Sequence, residues 1–260
     1  MRLVIVIAAI ALITIALLPF QWIAVKLALP MRRRIPTFYH RMICALLGVR
    51  VRVIGTRFDQ KPLLIVSNHV SWLDISVLTS VAPVVFVAKQ EVAGWPLFGL
   101  LAKLQRTVFV SRTQRQKTAE ATAEMASRLA EGDPVVLFGE GTSSDGNRVL
   151  EFRSALVGAA RDALAADTTL VWIQPLSIAY TGMLGLPLGR QHRPLVAWYG
   201  DFDLAPHFAE VIRRGGIDVT LTWGDPIPFD QDSDRKTVTK ALETQIRRMT
   251  SLALRGRRGA

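Results

Sequence analysis

The chain has 260 residues, half of them hydrophobic, which is enough for one substantial α/β domain and excludes wholesale disorder. Lys and Arg number 32 against 21 Asp and Glu, and the net charge of +11 favours an anionic partner: nucleic acid, an anionic lipid surface or an acidic protein. The single cysteine excludes an internal disulfide and any zinc site built on paired cysteines, and it suits a reducing compartment.

From Leu3 to Leu18 every residue except Thr14 is apolar, and the run resumes after Pro19 as FQWIAVKLAL. A helix over 3–29 would be roughly 40 Å long, against a hydrocarbon core of about 30 Å. It either spans with a tilt or bends at Pro19 into a shallow hairpin within one leaflet. A cleaved signal peptide is the alternative, but the apolar core is long for one and no small-x-small site precedes a mature start. Arg32, Arg33 and Arg34 follow, with only Arg2 and the amino terminus ahead of the run. If the segment spans, the positive-inside tendency puts the remainder on the cytoplasmic side of the inner membrane, with the triplet at the level of anionic headgroups. Residues 1–34 therefore read as a membrane-anchoring segment and 35–260 as one catalytic-size domain.

Beyond the triplet, Thr37 to Leu47 reads as a helix with Cys44 on its apolar side, a core thiol rather than a nucleophile. Short β-branched runs follow: VRVIG, LLIVS, VVFVA, TVFVS, VVLFG, LVWIQPLSI, LVAWYG and IDVTLTW. Between them, Ala119, Thr122, Ala123, Ala126, Leu129 and Ala130 recur at helical spacing, and Gly132 ends that helix. Further helices are expected over 154–166 and in the tail, where Val238, Ala241, Leu242, Ile246 and Met249 share a face. Alternation of this kind predicts an α/β fold with a mixed central sheet flanked by helices.

IVSNHVSWLDISVL sets a histidine, His69, between a strand and a helix, with Asp74 five positions on. One reading is structural: Ser71 and Asp74 form a capping-box variant and His69 is an incidental loop residue. The other is catalytic. A position just ahead of a helix lies at the positive end of its dipole, which disfavours imidazolium and keeps the ring a base. Residues five apart on a helix point about 140° away from each other, so His69 meets Asp74 only by folding back from a non-helical entry. A carboxylate on one ring nitrogen then fixes the tautomer and stabilises the imidazolium formed when the other nitrogen takes a hydroxyl proton.

NHVSWLD has the N-H-x-x-x-x-D form of the glycerolipid (lysophospholipid) acyltransferases, and later blocks resemble that family in the same order. AKQEVAGWPLFG resembles its lysine-x-glutamate stretch, TVFVSR ends in the arginine of its headgroup block, and LFGEGTSSDG resembles its F-P-E-G-T block. VLEFRSA resembles the segment after it, and VWIQPLSI its apolar strand with a proline, here Pro175. The resemblance implies acyl transfer from a thioester, acyl-CoA or acyl carrier protein, to a lysolipid hydroxyl. His69 and Asp74 would be catalytic, and Lys89, Arg112, Glu140, Gly141 and Thr142 substrate-binding. The Glu140–Thr142 turn also offers closely spaced backbone N–H groups for an oxyanion. Gly139 and Trp172 stand where prolines are usual, Arg106 where glycine is, Ser111 where aspartate is, and Ser143 where many members carry arginine. The EGTSSDG variant, with WYGDFDLAPH, is similar to the lyso-ornithine-lipid acyltransferases of the same superfamily, whose acceptor has an amino-acid headgroup and no phosphate. 1-Acylglycerol-3-phosphate is placed ahead of lyso-ornithine lipid as acceptor.

Other classes fit less well. No nucleic-acid-binding signature accompanies the positive charge, no G-x-S-x-G elbow of a hydrolase occurs, and no histidine or carboxylate cluster has metal-ligand spacing, so no metal cofactor is expected. A non-catalytic membrane lipid-binding protein would dispense with the His69–Asp74 pair.

Overall fold

The computed structural model describes residues 1–111, 115–155, 157 and 170–256. Helices α1 (Arg2–Lys26) and α2 (Met31–Leu47) form an antiparallel hairpin, with Thr14 Oγ1 2.9 Å from the Tyr39 hydroxyl and Gln21 Nε2 donating to Arg32 C=O at 3.1 Å. The chain reverses between them, at residues 27–30; Pro19 lies inside an unbroken α1. Leu3, Val6, Ile10, Thr14, Gln21 and Ala24 fall at steps of three, four or seven and face the protein. Arg2 ties the start of α1 to the carbonyls of Ile212 and Leu47, and Gln21 ties its end to that of Leu104 at 2.7 Å. The other side of α1 exposes Val4, Ile5, Leu12, Ile15, Phe20 and Trp22. By length and composition α1 can cross a membrane, yet along its whole length one face is seated on the domain.

The boundary expected after Arg34 falls inside α2. Two arginines of the triplet are also not free for headgroups: Arg32 pairs with Glu131 and Arg33 with Asp133, each at 2.5 Å. Arg106 joins both carboxylates. Of the three, only Arg34 is exposed. This network also accounts for an arginine in place of glycine at 106. Its φ of +64° lies in the left-handed region that favours glycine, and its buried guanidinium holds the chain there against Asp133 and Glu131.

The strands are β1 (Val49–Ile54), β2 (Leu63–Ser67), β3 (Val85–Lys89), β4 (Val108–Val110), β5 (Val135–Phe138), β6 (Leu170–Met183), β7 (Leu186–Pro187), β8 (Ile217–Trp223) and β9 (Ile227–Asp230). They form a mixed sheet of order β1-β8-β6-β2-β5-β3-β4, parallel throughout that path except for the antiparallel β6–β8 pair. β9 and β7 pair antiparallel with the two ends of β6. Central β2 is buried along its whole length, as its unbroken apolar run requires. Leu63 and Ile65 face a layer made by α1, α2, α3 (Leu73–Val81) and α6 (Leu204–Arg214). Leu64 and Val66 face α5 (Arg115–Ala130) and α7 (Arg235–Leu254). The expected mixed sheet between helices is thus the architecture observed.

One expected strand is absent. LVAWYG is not a strand: Pro194 lacks an N–H, a 3₁₀ turn covers Arg193–Leu195, and the N–H groups of Val196 and Ala197 both close on Arg193 C=O. The segment instead crosses the His69 loop, where Trp198 N–H donates to Val70 C=O at 2.9 Å. In addition α4 (Phe98–Leu104), α6 and β9 went unforeseen. The helix expected over 154–166 lies mostly outside the described residues.

Replacing Arg106 with glycine should lower unfolding free energy by about 2 kcal/mol, because losing the buried ion pair outweighs roughly 1 kcal/mol of relieved backbone strain. Denaturant midpoints of the two proteins check this.

Candidate active site

β2 ends at Ser67, and the next residue continues its pairing by another means. The Asn68 side chain stands in for a peptide unit: Nδ2 donates to Ile178 C=O at 2.9 Å, and Oδ1 accepts from Ile178 N–H at 2.8 Å. That clamp fixes the chain at the carboxyl edge of the parallel strands, the usual place for a ligand crevice in such sheets. His69 follows, and its Nδ1 lies 2.8 Å from Asp74 Oδ2. The ring stacks on Phe138 at the end of β5, with centroids 4.0 Å apart and planes 18° apart. Asp74 is fully buried in the first turn of α3, where a negative charge meets the positive helix end. Its Oδ2 also accepts the N–H groups of Val70 (2.7 Å) and Ser71 (3.0 Å), and its Oδ1 accepts the Tyr180 hydroxyl at 2.7 Å.

The fold-back of His69 from a non-helical entry is therefore present. The capping box is only half made. Asp74 reaches back to backbone N–H groups, but the buried Ser71 hydroxyl caps nothing and has no hydrogen-bond partner among the described residues. With Nδ1 bound to a carboxylate, the neutral ring carries its proton there, and Nε2 is left as the basic nitrogen. The His69 side chain is 20 % exposed, so the ring is partly open to solvent.

The loop after β5 supports this arrangement. Gly139 N–H donates to Ser67 C=O at 2.9 Å, and Ser144 donates to His69 C=O from both its N–H and its hydroxyl. At Gly139, a Cβ would lie 2.5 Å from the Phe152 ring, so this chain's glycine makes room for an aromatic packed beneath the turn. Ser143, in the place of the family's arginine, turns its hydroxyl to Trp198 C=O at 2.5 Å and closes the loop on the WYGDFD segment. Glu140 is almost wholly buried: Oε1 accepts from Leu150 N–H at 3.3 Å, and Oε2 has no partner among the described residues. Burial, with the neighbouring Asp74 charge adding to it, pushes its carboxyl up to about 8.

The other expected site residues divide. Exposed Lys89 ends β3 at the same carboxyl edge and forms no ion pair with Glu91. Thr142 is exposed at the loop's rim. Gly141 N–H donates to Phe138 C=O at 3.0 Å, so it closes the turn rather than facing an oxyanion. Arg112 lies outside the described residues. Cys44 is buried, its thiol pushed up to about 11 by burial, as suits a core position. The clamp of Asn68, the stacking of Phe138 and the Tyr180 hydroxyl were not foreseen. For Asn68 and Phe138, a polar or aromatic residue closing an otherwise aliphatic strand was the available signal.

The family model described as Acyltransferase matches residues 50–179. This chain belongs to the acyltransferase family. It is 47 % identical to the lyso-ornithine lipid O-acyltransferase of Brucella abortus over 98 % of this chain and 96 % of that one. To the enzyme of the same name from Rhizobium meliloti it is 48 % identical, over 95 % and 85 %. The 1-acyl-sn-glycerol-3-phosphate acyltransferase of Neisseria gonorrhoeae is 38 % identical over 38 % of this chain and 39 % of that one. In fold, the chain resembles the crystal structure of the 1-acyl-sn-glycerophosphate (LPA) acyltransferase PlsC of Thermotoga maritima, with a TM-score of 0.62 and 21 % identity over the full length of both.

For Glu140 the folded-state value exceeds the ordinary 4.5, so its contribution to stability is complete below about 4.5 and is lost as pH rises through about 8. Glu140→Gln should accordingly leave the melting temperature nearly unchanged at pH 4.5 and raise it at pH 8.5, as thermal denaturation at the two values will report.

Proposed function

We propose that this protein transfers an acyl chain from a cytoplasmic acyl thioester to the hydroxyl of lyso-ornithine lipid at the membrane surface. The observation that carries the reaction is the His69–Asp74 contact at 2.8 Å, with the ring reachable from solvent. His69 Nε2 takes the proton as the hydroxyl oxygen attacks the thioester carbonyl, and Asp74 stabilises the imidazolium. Collapse of the tetrahedral intermediate expels the thiolate, which receives the proton from Nε2. No acyl-enzyme is required, because a thioester is already activated toward an alcohol.

The choice of acceptor reverses the order favoured by sequence alone. Relatives named for lyso-ornithine lipid align over nearly the whole chain, whereas the matched Neisseria relative named for 1-acyl-sn-glycerol-3-phosphate aligns over 38 % of it. Ser143 adds a physical reason. A hydroxyl tied to Trp198 C=O replaces a guanidinium that would meet a phosphate, and the ornithine headgroup has no phosphate to bind. The donor is an acyl-CoA or acyl carrier protein, each acidic and complementary to a chain of net charge +11. The exposed side of α1 seats the domain on the cytoplasmic face of the inner membrane through its apolar residues.

Purified protein given labelled acyl donor and both lysolipids should yield acylated ornithine lipid, with products identified by mass. Product from 1-acylglycerol-3-phosphate alone overturns the acceptor reading. In the same assay His69→Ala should lose at least about 10²-fold in turnover while still co-sedimenting with vesicles, and near-normal turnover overturns the mechanism.

A further inference from the structure

The Asp74 carboxylate is held from three directions: by its own loop, by His69 and, from across the sheet, by β6. The third contact is the Tyr180 hydroxyl, 2.7 Å from Oδ1, on a side chain only 3 % exposed. Tyr180 precedes an irregularity in β6. It pairs with Val219, yet the next pair along is Gly182 with Asp218, so Thr181 is an extra residue on that strand. Such a bulge turns the strand locally and re-aims the side chains beside it, and bulges are common next to active sites. Two residues earlier on β6, the backbone of Ile178 clamps Asn68. One strand thus holds both the residue before the catalytic histidine and the carboxylate behind it.

We propose that Tyr180 is a positioning residue of the acyl transfer, which through its hydrogen bond to Oδ1 sets how strongly Asp74 holds the His69 imidazolium. This inference rests on the reading of His69 as the base. A donor on Oδ1 disperses the carboxylate charge that His69 faces through Oδ2. Removing that donor concentrates the charge, binds the imidazolium more tightly, and delays appearance of the neutral base to higher pH. Tyr180 does not meet the acceptor, since it lies behind Asp74 in the core.

The other ionisable groups packed around the carboxylate leave the acid side of the profile to this pair. From α2, Cys44 is a thiol pushed up to about 11. From the loop after β5, Glu140 is pushed up to about 8 and is uncharged below neutrality. The phenol of Tyr180 is itself raised well above its ordinary value by burial, with the Asp74 charge adding, so it stays a donor throughout.

The test is the pH dependence of kcat/KM for the full chain with labelled acyl donor and lysolipid, in two variants. Tyr180→Phe keeps the ring and removes the hydroxyl; its acid limb should move up by about half to one pH unit, with KM for the acceptor unchanged. Site-specific 3-fluorotyrosine at position 180 keeps both ring and hydroxyl and makes the phenol a stronger donor, so its acid limb should move down. Opposite displacements support the proposal. A fluorotyrosine profile that coincides with wild type, or that moves the same way as Tyr180→Phe, assigns Tyr180 to packing alone and overturns it, even where the phenylalanine variant fails to fold. Loss of activity in His69→Ala is independent of either result, so failure of this inference leaves the catalytic pair standing.

Discussion

A fully buried carboxylate is costly unless it is hydrogen-bonded, and Asp74 accepts from four donors: two backbone N–H groups and an imidazole on Oδ2, and a phenol on Oδ1. Those donors come from the loop after β2 and from β6, while the acid itself sits on α3. Three elements are therefore fixed relative to one another by a single group. The consequence for His69 is a defined tautomer and a defined ring plane, the latter reinforced by stacking on Phe138. The orientation of the His69 ring here depends on satisfying a buried charge, and the sheet's carboxyl edge is where the donors can converge.

The parts of this design that are local in the chain were legible in the residues. LLIVS and IDVTLTW coincide with β2 and β8, because a run of apolar or β-branched residues of that length has few other uses. The His69–Asp74 contact spans five positions and follows from one change of backbone direction at a helix start. Tyr180 was not legible. It meets Asp74 across 106 positions of sequence, by way of a strand pairing and a bulge that periodicity does not encode. LVAWYG misled for a related reason: Val196 and Ala197 are buried, as a strand's residues would be, but they follow Pro194 and a 3₁₀ turn in a segment that crosses the His69 loop.

Three of the five departures from the family pattern are compensated by a neighbour in space. Gly139 goes with Phe152 beneath it, Ser143 with the Trp198 carbonyl, and Arg106 with two carboxylates. In each case the neighbour that makes the unusual residue fit is distant enough in sequence that the residue alone reads as an anomaly. The Ser143 case bears on the proposed acceptor, since a hydroxyl stands where an arginine would place a positive charge, and the loop stays closed on Trp198.

The arginine triplet carries a consequence for how the protein sits on lipid. With Arg32 and Arg33 neutralised by Glu131 and Asp133, most of that basic cluster is spent inside the fold, and the surface offered beside it is the hydrocarbon side of α1. Adhesion of that kind is insensitive to counterions, whereas polybasic tethers weaken as the screening length shrinks. The protein should therefore stay with the membrane fraction through molar salt washes that strip electrostatically held neighbours, and leave it only when detergent replaces the lipid against Leu12, Ile15 and Phe20.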